Sequence, residues 1–416
     1  MYLYWNTNST TRVRRKVLTV VNKYLNSSRK GSGLVFHNPS DITISSRKLF
    51  YEVITNSREK VSKLIHANSC DSIIFTSGGS ESNSMALNYG RDYVGVGGTI
   101  VVSAVEHDSI ILYCQYLKNK GYNVIFIGVD ERGRLKMDEL KDMSLPEKVF
   151  VSIMLVNNEL GNIYDIETVV KIIRQKSKNA IVHTDAVQAV GKIDVDVQKL
   201  GVDMLSLSGH KIGAPKGIGA LFVKKSIAPT PMIFGHQECG FRGGTENVAY
   251  IAGLGVAAQM TLKELKSDIR LKIKYYRDTV ENNILKICNE IGVNAYVNGD
   301  EENRVGNTTS ITIEGIDSTK FILAAENQHL YLSSGAACSS SLCDKNDIPK
   351  TKASNVMTAI CHRNYESVLR ISIGDEVYVY SNTPKHPKRL DAAIKLSITD
   401  GCARFRKILK TQIEEK

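Results

Sequence analysis

No apolar run in this chain approaches the roughly 20 residues that a membrane-spanning helix needs. The start, Met1-Tyr2-Leu3-Tyr4-Trp5-Asn6, has no charged opening, no apolar signal core and no small-residue cleavage site. It therefore reads as carrying no secretory signal. The basic cluster Arg12, Arg14, Arg15 and Lys16 lacks the Ser/Arg-rich run-in of a transit peptide. A cytoplasmic protein with no membrane partner is the expectation. No Cys-x-x-Cys pair occurs among the eight cysteines, and no spacing suggests a zinc site, so no metal is expected. A chain this size does not need disulfides, and reduced thiols are expected. Internal repeats and low-complexity tails are absent. The net charge of +11 comes from basic residues that are spread and not interleaved with aromatics, so no direct nucleic-acid partner is expected.

What is present is ordinary soluble composition, 42% hydrophobic and 23% charged, over 416 residues, enough for two domains. From residue 72 short apolar runs alternate with amphipathic helical stretches. The runs are 72–76, 99–103, 123–127, 149–156, 180–184, 203–207 and 220–223. Helices are predicted near 12–25, 46–67, 81–89, 109–118, 138–141, 166–175 and 195–200, with a long helical region at 250–290. This alternation predicts an α/β fold with a mostly parallel sheet covered on both faces. Residues 291–416 are expected to form the bulk of a second, smaller domain, with strands near 310–313 and 368–372 and a helix near 319–327.

Ligands of such sheets collect at the carboxyl ends of the strands, and the polar residues with chemistry stand there. Ser77-Gly78-Gly79-Ser80 links a strand to a helix and reads as an anion cradle, with helix-start N–H groups and the Ser80 hydroxyl as donors. Many such turns bind nothing. Glu106-His107-Asp108, Asn157-Asn158-Glu159, Asp185-Ala186-Val187-Gln188 and Ser208-Gly209-His210-Lys211 follow four other runs. Each set alone could be a cap or a turn, but coincidence of all of them is a poor explanation. Lys211 lies on a Gly-rich turn, where a lysine amine lowered in pKa by burial can bond covalently to a carbonyl. Further on, Ser333-Ser334-Gly335-Ala336-Ala337-Cys338-Ser339 presents a sterically open thiol, followed by a polar stretch, 342–353, that is predicted to be mobile.

Taken together, FTSGGSES, EHDS, NNELG, HTDAVQ, SGHKIGAPKGIGAL, RGGTEN and SSGAACSSS, in this order, resemble a cysteine desulfurase of the NifS/IscS type. That family belongs to the aspartate-aminotransferase-like, fold type I, pyridoxal-phosphate enzymes. The resemblance runs from Tyr4 to Gly374. It implies a large domain with a mostly parallel sheet (16–260) and a smaller α+β domain (261–416), with residues 1–15 packing against the latter. It implies pyridoxal 5'-phosphate bound covalently to Lys211, Asp185 at the ring nitrogen, Gln188 at the phenolic oxygen and His107 on the ring face. Gly79, Ser80, Ser208 and His210 would hold the phosphate, joined by Thr245 reaching from a neighbouring subunit, so a homodimer is implied. Asn158, Arg370 and Asn38 would hold the substrate, L-cysteine, with Arg370 clamping its carboxylate. Cys338 would be the nucleophile, taking the sulfur as a persulfide for a protein acceptor in iron–sulfur cluster assembly or tRNA thiolation.

Some positions depart from the family pattern. Asn6 stands where Asp is usual and Arg12 where Pro is usual. His236 and Cys239 replace Gly and Arg, and the residues after Gly374 lack the usual acidic stretch. A selenocysteine lyase or another fold type I lyase or transaminase is an alternative; so is a silent cofactor-binding scaffold. The open thiol speaks against a transaminase, which needs none.

Overall fold

Alternate residues of the apolar runs pack on opposite sides of one sheet. Val101, Val149 and Val151 belong to one buried cluster; Ile100, Val102 and Phe150 belong to another on the far side. This is the pattern of strands buried on both faces. The structure, a computed structural model, describes residues 2–25, 37–69, 73–334, 354–362, 364–374 and 387–414, with backbone alone at 387–394 and 397. Strand β1 (Leu3–Tyr4) precedes seven strands of one sheet. They are β2 (Ile73–Thr76), β3 (Thr99–Ser103), β4 (Asn123–Ile127), β5 (Val149–Ser152), β6 (Ile181–Asp185), β7 (Met204–Ser208) and β8 (Gly219–Val223). Their order is β2-β8-β7-β6-β5-β3-β4, and β8 alone runs antiparallel to its neighbours.

The sheet order brings separate loops together. Gly219 at the start of β8 is opposite Thr76 on β2 and Ser208 on β7. A Cβ on Gly219 would stand 2.7 Å from the Gly78 Cα, so only glycine allows the loop after β2 this close. The helix Gly79–Val94 then crosses the sheet, and a Cβ on Gly90 would strike the Phe150 ring at 2.4 Å. Close helix-to-sheet contact thus fixes the helix start over the strand ends.

A second apolar core holds Leu3, Trp5, Ile284, Ile311, Phe321 and Phe405. It is built on the antiparallel sheet β12-β10-β9, with β9 at Ala295–Asn298, β10 at Thr308–Ile313 and β12 at Val368–Ser372. Strand β11 (Leu330–Tyr331) pairs in parallel with β1, so the N-terminal segment is tied to this part of the chain. The long helical region is two helices, Val248–Leu265 and Ile269–Ile291. Ser267 marks the break: its hydroxyl donates to the Glu264 carbonyl at 2.8 Å and accepts from Ile269 N at 3.4 Å. The stretch predicted as one helix over 46–67 carries a π-helical segment at Phe50–Thr55 between two α-helices. A C-terminal helix, Pro387–Glu414, completes the described chain.

Candidate active site

Asp185 ends β6, and its neighbour β7 ends at Ser208, with Lys211 one short turn beyond. Parallel pairing of β6 with β7, Asp185 opposite Ser206, sets these groups side by side. Asp185 is 4% exposed. Its Oδ1 accepts from Val187 N at 2.8 Å and its Oδ2 from Asn83 Nδ2 at 2.7 Å. Asn83 sits in the second turn of the Gly79–Val94 helix, and its other amide hydrogen goes to Ser109 Oγ at 3.0 Å. Ser109 Oγ lies 2.9 Å from His107 Nδ1, which also accepts from Ser109 N at 3.1 Å. Because Nδ1 accepts a backbone N–H, a neutral His107 carries its proton on Nε2. Asp185 and His107 are thereby linked through Asn83 and Ser109, two residues that the sequence reading did not single out.

Lys211 Nζ donates to the carbonyls of Asn8 and Ser9. Asn8 gathers several polar groups near the site. Its carbonyl accepts from Gln188 Nε2 at 3.0 Å, and its Oδ1 accepts from Lys192 Nζ at 2.7 Å and Asn307 Nδ2 at 3.0 Å. Its Nδ2 donates to the Asn158 carbonyl at 3.1 Å and to Thr308 Oγ1 at 2.9 Å. Lys192 Nζ also donates to Gln188 Oε1. Burial, then the Lys211 and Arg370 charges, hold the Lys192 amine well below the usual lysine range.

Arg370, in β12, is 1% exposed. Its guanidinium donates to the Asn158 carbonyl at 3.1 Å, Asn6 Oδ1 at 2.9 Å and Ser9 Oγ at 2.8 Å. Asn6, where the family pattern has Asp, thus meets Arg370 as a neutral acceptor. His210 Nδ1 is 3.1 Å from Thr10 Oγ1, and burial with the Lys211 and Lys216 charges pushes this imidazole down to about 4. It is therefore neutral at physiological pH. Ser80 is exposed at the helix start, and Gly79 has no room for a Cβ, which would meet Val187 Cγ2 at 2.6 Å.

The structure does not bring every predicted residue into this cluster. Asn38 is exposed, its Oδ1 accepting from Ser40 N at 3.0 Å, and Ser40 meets Glu246. Thr245 is exposed and lines a hollow with Ser77, Gly217 and Arg242. Cys338 and Cys343 lie outside the described residues. A larger cavity of about 450 Å³ opens on the flank of Lys211 and Lys192, between Arg12, Thr261 and Gly374. It touches none of Ser80, His107 or Asp185, so its size does not mark the chemistry.

Two buried carboxyls lie close to the cluster. Glu106 Oε1 accepts from Ser103 Oγ at 2.5 Å and from Met154 N at 2.7 Å, while Oε2 has no partner among the described residues. Burial pushes this carboxyl from its ordinary 4.5 up to about 8. Glu159, bonded by Ser354 Oγ at 2.7 Å, is pushed by burial up to about 7. A carboxyl raised in the folded state stabilises fully below pH 4.5, and that contribution is lost as pH rises through about 8. Glu106→Gln keeps an oxygen for Ser103 and Met154 N but cannot ionise. Its melting temperature is expected to gain on wild type between pH 4.5 and 8; parallel melting curves across that range would contradict the assignment.

Comparison with known proteins places this arrangement. The Aminotransferase class-V model matches residues 3–378. A cysteine desulfurase of Gluconacetobacter diazotrophicus is 37% identical over 340 residues, 81% of each chain. The cysteine desulfurase NifS of Azotobacter vinelandii is 34% identical over 358 residues, covering 84% of this chain and 85% of its own. The X-ray structure of a NifS-like protein from Rickettsia africae superposes with a TM-score of 0.80 at 27% identity, over 99% of this chain and 100% of that one. The chain belongs to the class-V aminotransferase family, among the cysteine desulfurases of NifS/IscS type. These enzymes depend on pyridoxal phosphate. Among the described residues no helix is long and apolar enough to cross a membrane.

Proposed function

We propose that this desulfurase holds pyridoxal phosphate through Lys211 and uses it to take sulfur from L-cysteine onto Cys338, releasing alanine. The carrying observation is that Asp185 and Ser208 end adjacent parallel strands, with Lys211 on the turn just after Ser208 and the Gly78–Gly79 turn beside Ser208. Two further observations fit the group. Asn158 Oδ1 is buried without a partner among the described residues, as a polar atom awaiting a ligand would be. The backbone at Gly78 and Gly79 leaves a helix start that suits a phosphate. When bound, the cofactor would act as an electron sink for the substrate's α-carbon.

In this reading Asp185 would hold the ring nitrogen's proton, with Asn83 and Ser109 fixing the carboxylate relative to His107, which would cover the ring. Gln188 Nε2 would serve the phenolic oxygen. Ser80, Ser208 and the neutral His210 hold the phosphate with Gly79, and Thr245 does so from a second copy of the chain in a homodimer. Arg370 clamps the substrate carboxylate and Asn158 orients it. The Lys211 amine takes the α-proton. The Cys338 thiolate then forms an S–S bond to the substrate sulfur as the C–S bond breaks. The β-carbon keeps the electron pair and takes a proton, the α-carbon takes back the proton held by Lys211, alanine leaves, and the persulfide passes to a protein acceptor. An acceptor for iron–sulfur assembly or tRNA thiolation suits the chemistry.

The second apolar core, which joins Leu3 and Trp5 to residues of 276–409, supports a small domain drawn from 261–416 with residues 1–15 attached and a large one at 16–260, although Val305, Val356, Met357, Ile360 and Val368 pack in the large core. Five described cysteines are free, which fits a reducing compartment such as the cytoplasm. The purified protein is expected to absorb near the visible edge and to change spectrum when L-cysteine is added, with alanine appearing. No spectral change and no alanine would refute the reading.

A further inference from the structure

The Gln188 amide has both ends set by its neighbours. The Asn8 carbonyl can only accept, so Nε2 must face it at 3.0 Å. Lys192 Nζ donates to Oε1, so the oxygen must face the lysine. Asn8 Oδ1 takes a second hydrogen from Lys192 at 2.7 Å. Two N–H bonds suffice for these two acceptors, so the arrangement holds whether the amine is charged or neutral. Gln188 is 5% exposed, and a flipped amide in so enclosed a place would set N–H against N–H and oxygen against oxygen. One hydrogen of Nε2 is used by Asn8, and an amide NH2 has another.

We propose that Lys192 is a positioning residue: by holding Gln188 Oε1 and Asn8 Oδ1 it turns the remaining Gln188 N–H toward the cofactor's phenolic oxygen. The same amine ties that orientation to the N-terminal segment. Asn8, its second acceptor, also bonds Lys211 and reaches Asn307, Thr308 and, through its backbone N–H at 2.9 Å, Ser372 Oγ. Lys192 lies four residues past Gln188, beyond a left-handed Gly191 with φ of 87°, which turns the chain so that both side chains meet Asn8. This role rests on the proposed function, because it needs Gln188 at the phenolic oxygen.

Three variants test it: Lys192→Met, which keeps the length and removes the donor, Gln188→Ala, and the double variant. The first readout is the visible absorption band of pyridoxal phosphate bound to the full-length protein. Lys192→Met is expected to shift the band in the same direction as Gln188→Ala, and the double variant to match Gln188→Ala alone. A wild-type band in Lys192→Met, even with a lowered melting temperature, would overturn the proposal. So would a shift that adds in full to that of Gln188→Ala. The second readout is thermal unfolding of the same proteins freed of cofactor, where the two substitutions are expected to be non-additive because the side chains touch. Additive melting shifts would overturn the contact itself. Borohydride reduction of the wild type separates the two readings. If no cofactor is fixed to Lys211, the proposed function fails, whereas a fixed cofactor with an unmoved band fails only the role of Lys192.

Discussion

In Lys211→Ala, borohydride fixes no cofactor to the protein, and alanine is no longer made from L-cysteine at a useful rate. Two losses combine in this expected result. The amine that bonds the cofactor is gone, and so is the base for the α-proton. General base catalysis alone contributes about 10²–10⁴-fold. The variant should still fold. Lys211 is half-buried, and the Asn8 carbonyl to which it donates is also held by Gln188 Nε2 at 3.0 Å. A reducible bond to the cofactor persisting in this variant, with a normal melting temperature, would move the assignment to another lysine. Lys192 would be the alternative, since its amine donates to Asn8, whose carbonyl accepts from Lys211.

Cys338→Ser is expected to lose sulfur release while keeping the cofactor and the spectral response to L-cysteine. The thiol is needed only after the substrate is bound, so the earlier events survive its loss. Cys343 stands five residues further on and is not expected to substitute. A reacting group displaced by about an ångström can cost ~100-fold, so a thiol elsewhere in the chain is a poor substitute. Cys343→Ser should therefore keep most of its activity with a chemical reductant present. Normal alanine production by Cys338→Ser would remove that residue from the mechanism.

The strand ends on which the candidate residues stand were legible in the sequence. A buried run that stops at Asp185, or at Ser208 before a Gly-rich turn, announces a strand end in a parallel sheet. The seven-stranded sheet followed from the same runs. The polar supports were not legible, because they are made by distant chain segments. Asn8 meets Gln188 and Lys192 across some 180 residues and Thr308 across 300, and no local pattern encodes such meetings. Asn83 lies in the helix after the Gly78–Gly79 turn, and its amide reaches Asp185 across 102 residues.

Element ends differed for similar reasons. The strand predicted over 149–156 stops at Ser152. Beyond it, Ile153 N and Leu155 N still bond to the carbonyls of His183 and Asp185. On the other side, Met154 N donates to the Glu106 carboxyl, a side chain standing where a strand carbonyl would be. The helical region predicted over 250–290 divides into two helices because Ser267 caps both ends of the break, which outweighs the helical periodicity around it. The strands at Leu3–Tyr4 and Leu330–Tyr331 are two residues each, too short for periodicity to register, and exist by pairing with one another.

The central claim is that the first sulfur taken from L-cysteine rests on Cys338. The direct measurement is mass spectrometry of the thiol-blocked, digested protein after one equivalent of L-cysteine without reductant. One added sulfur is expected on the peptide that contains Cys338, in step with alanine formed. Added sulfur on Cys343 or any other cysteine, with the Cys338 peptide unchanged, would contradict it.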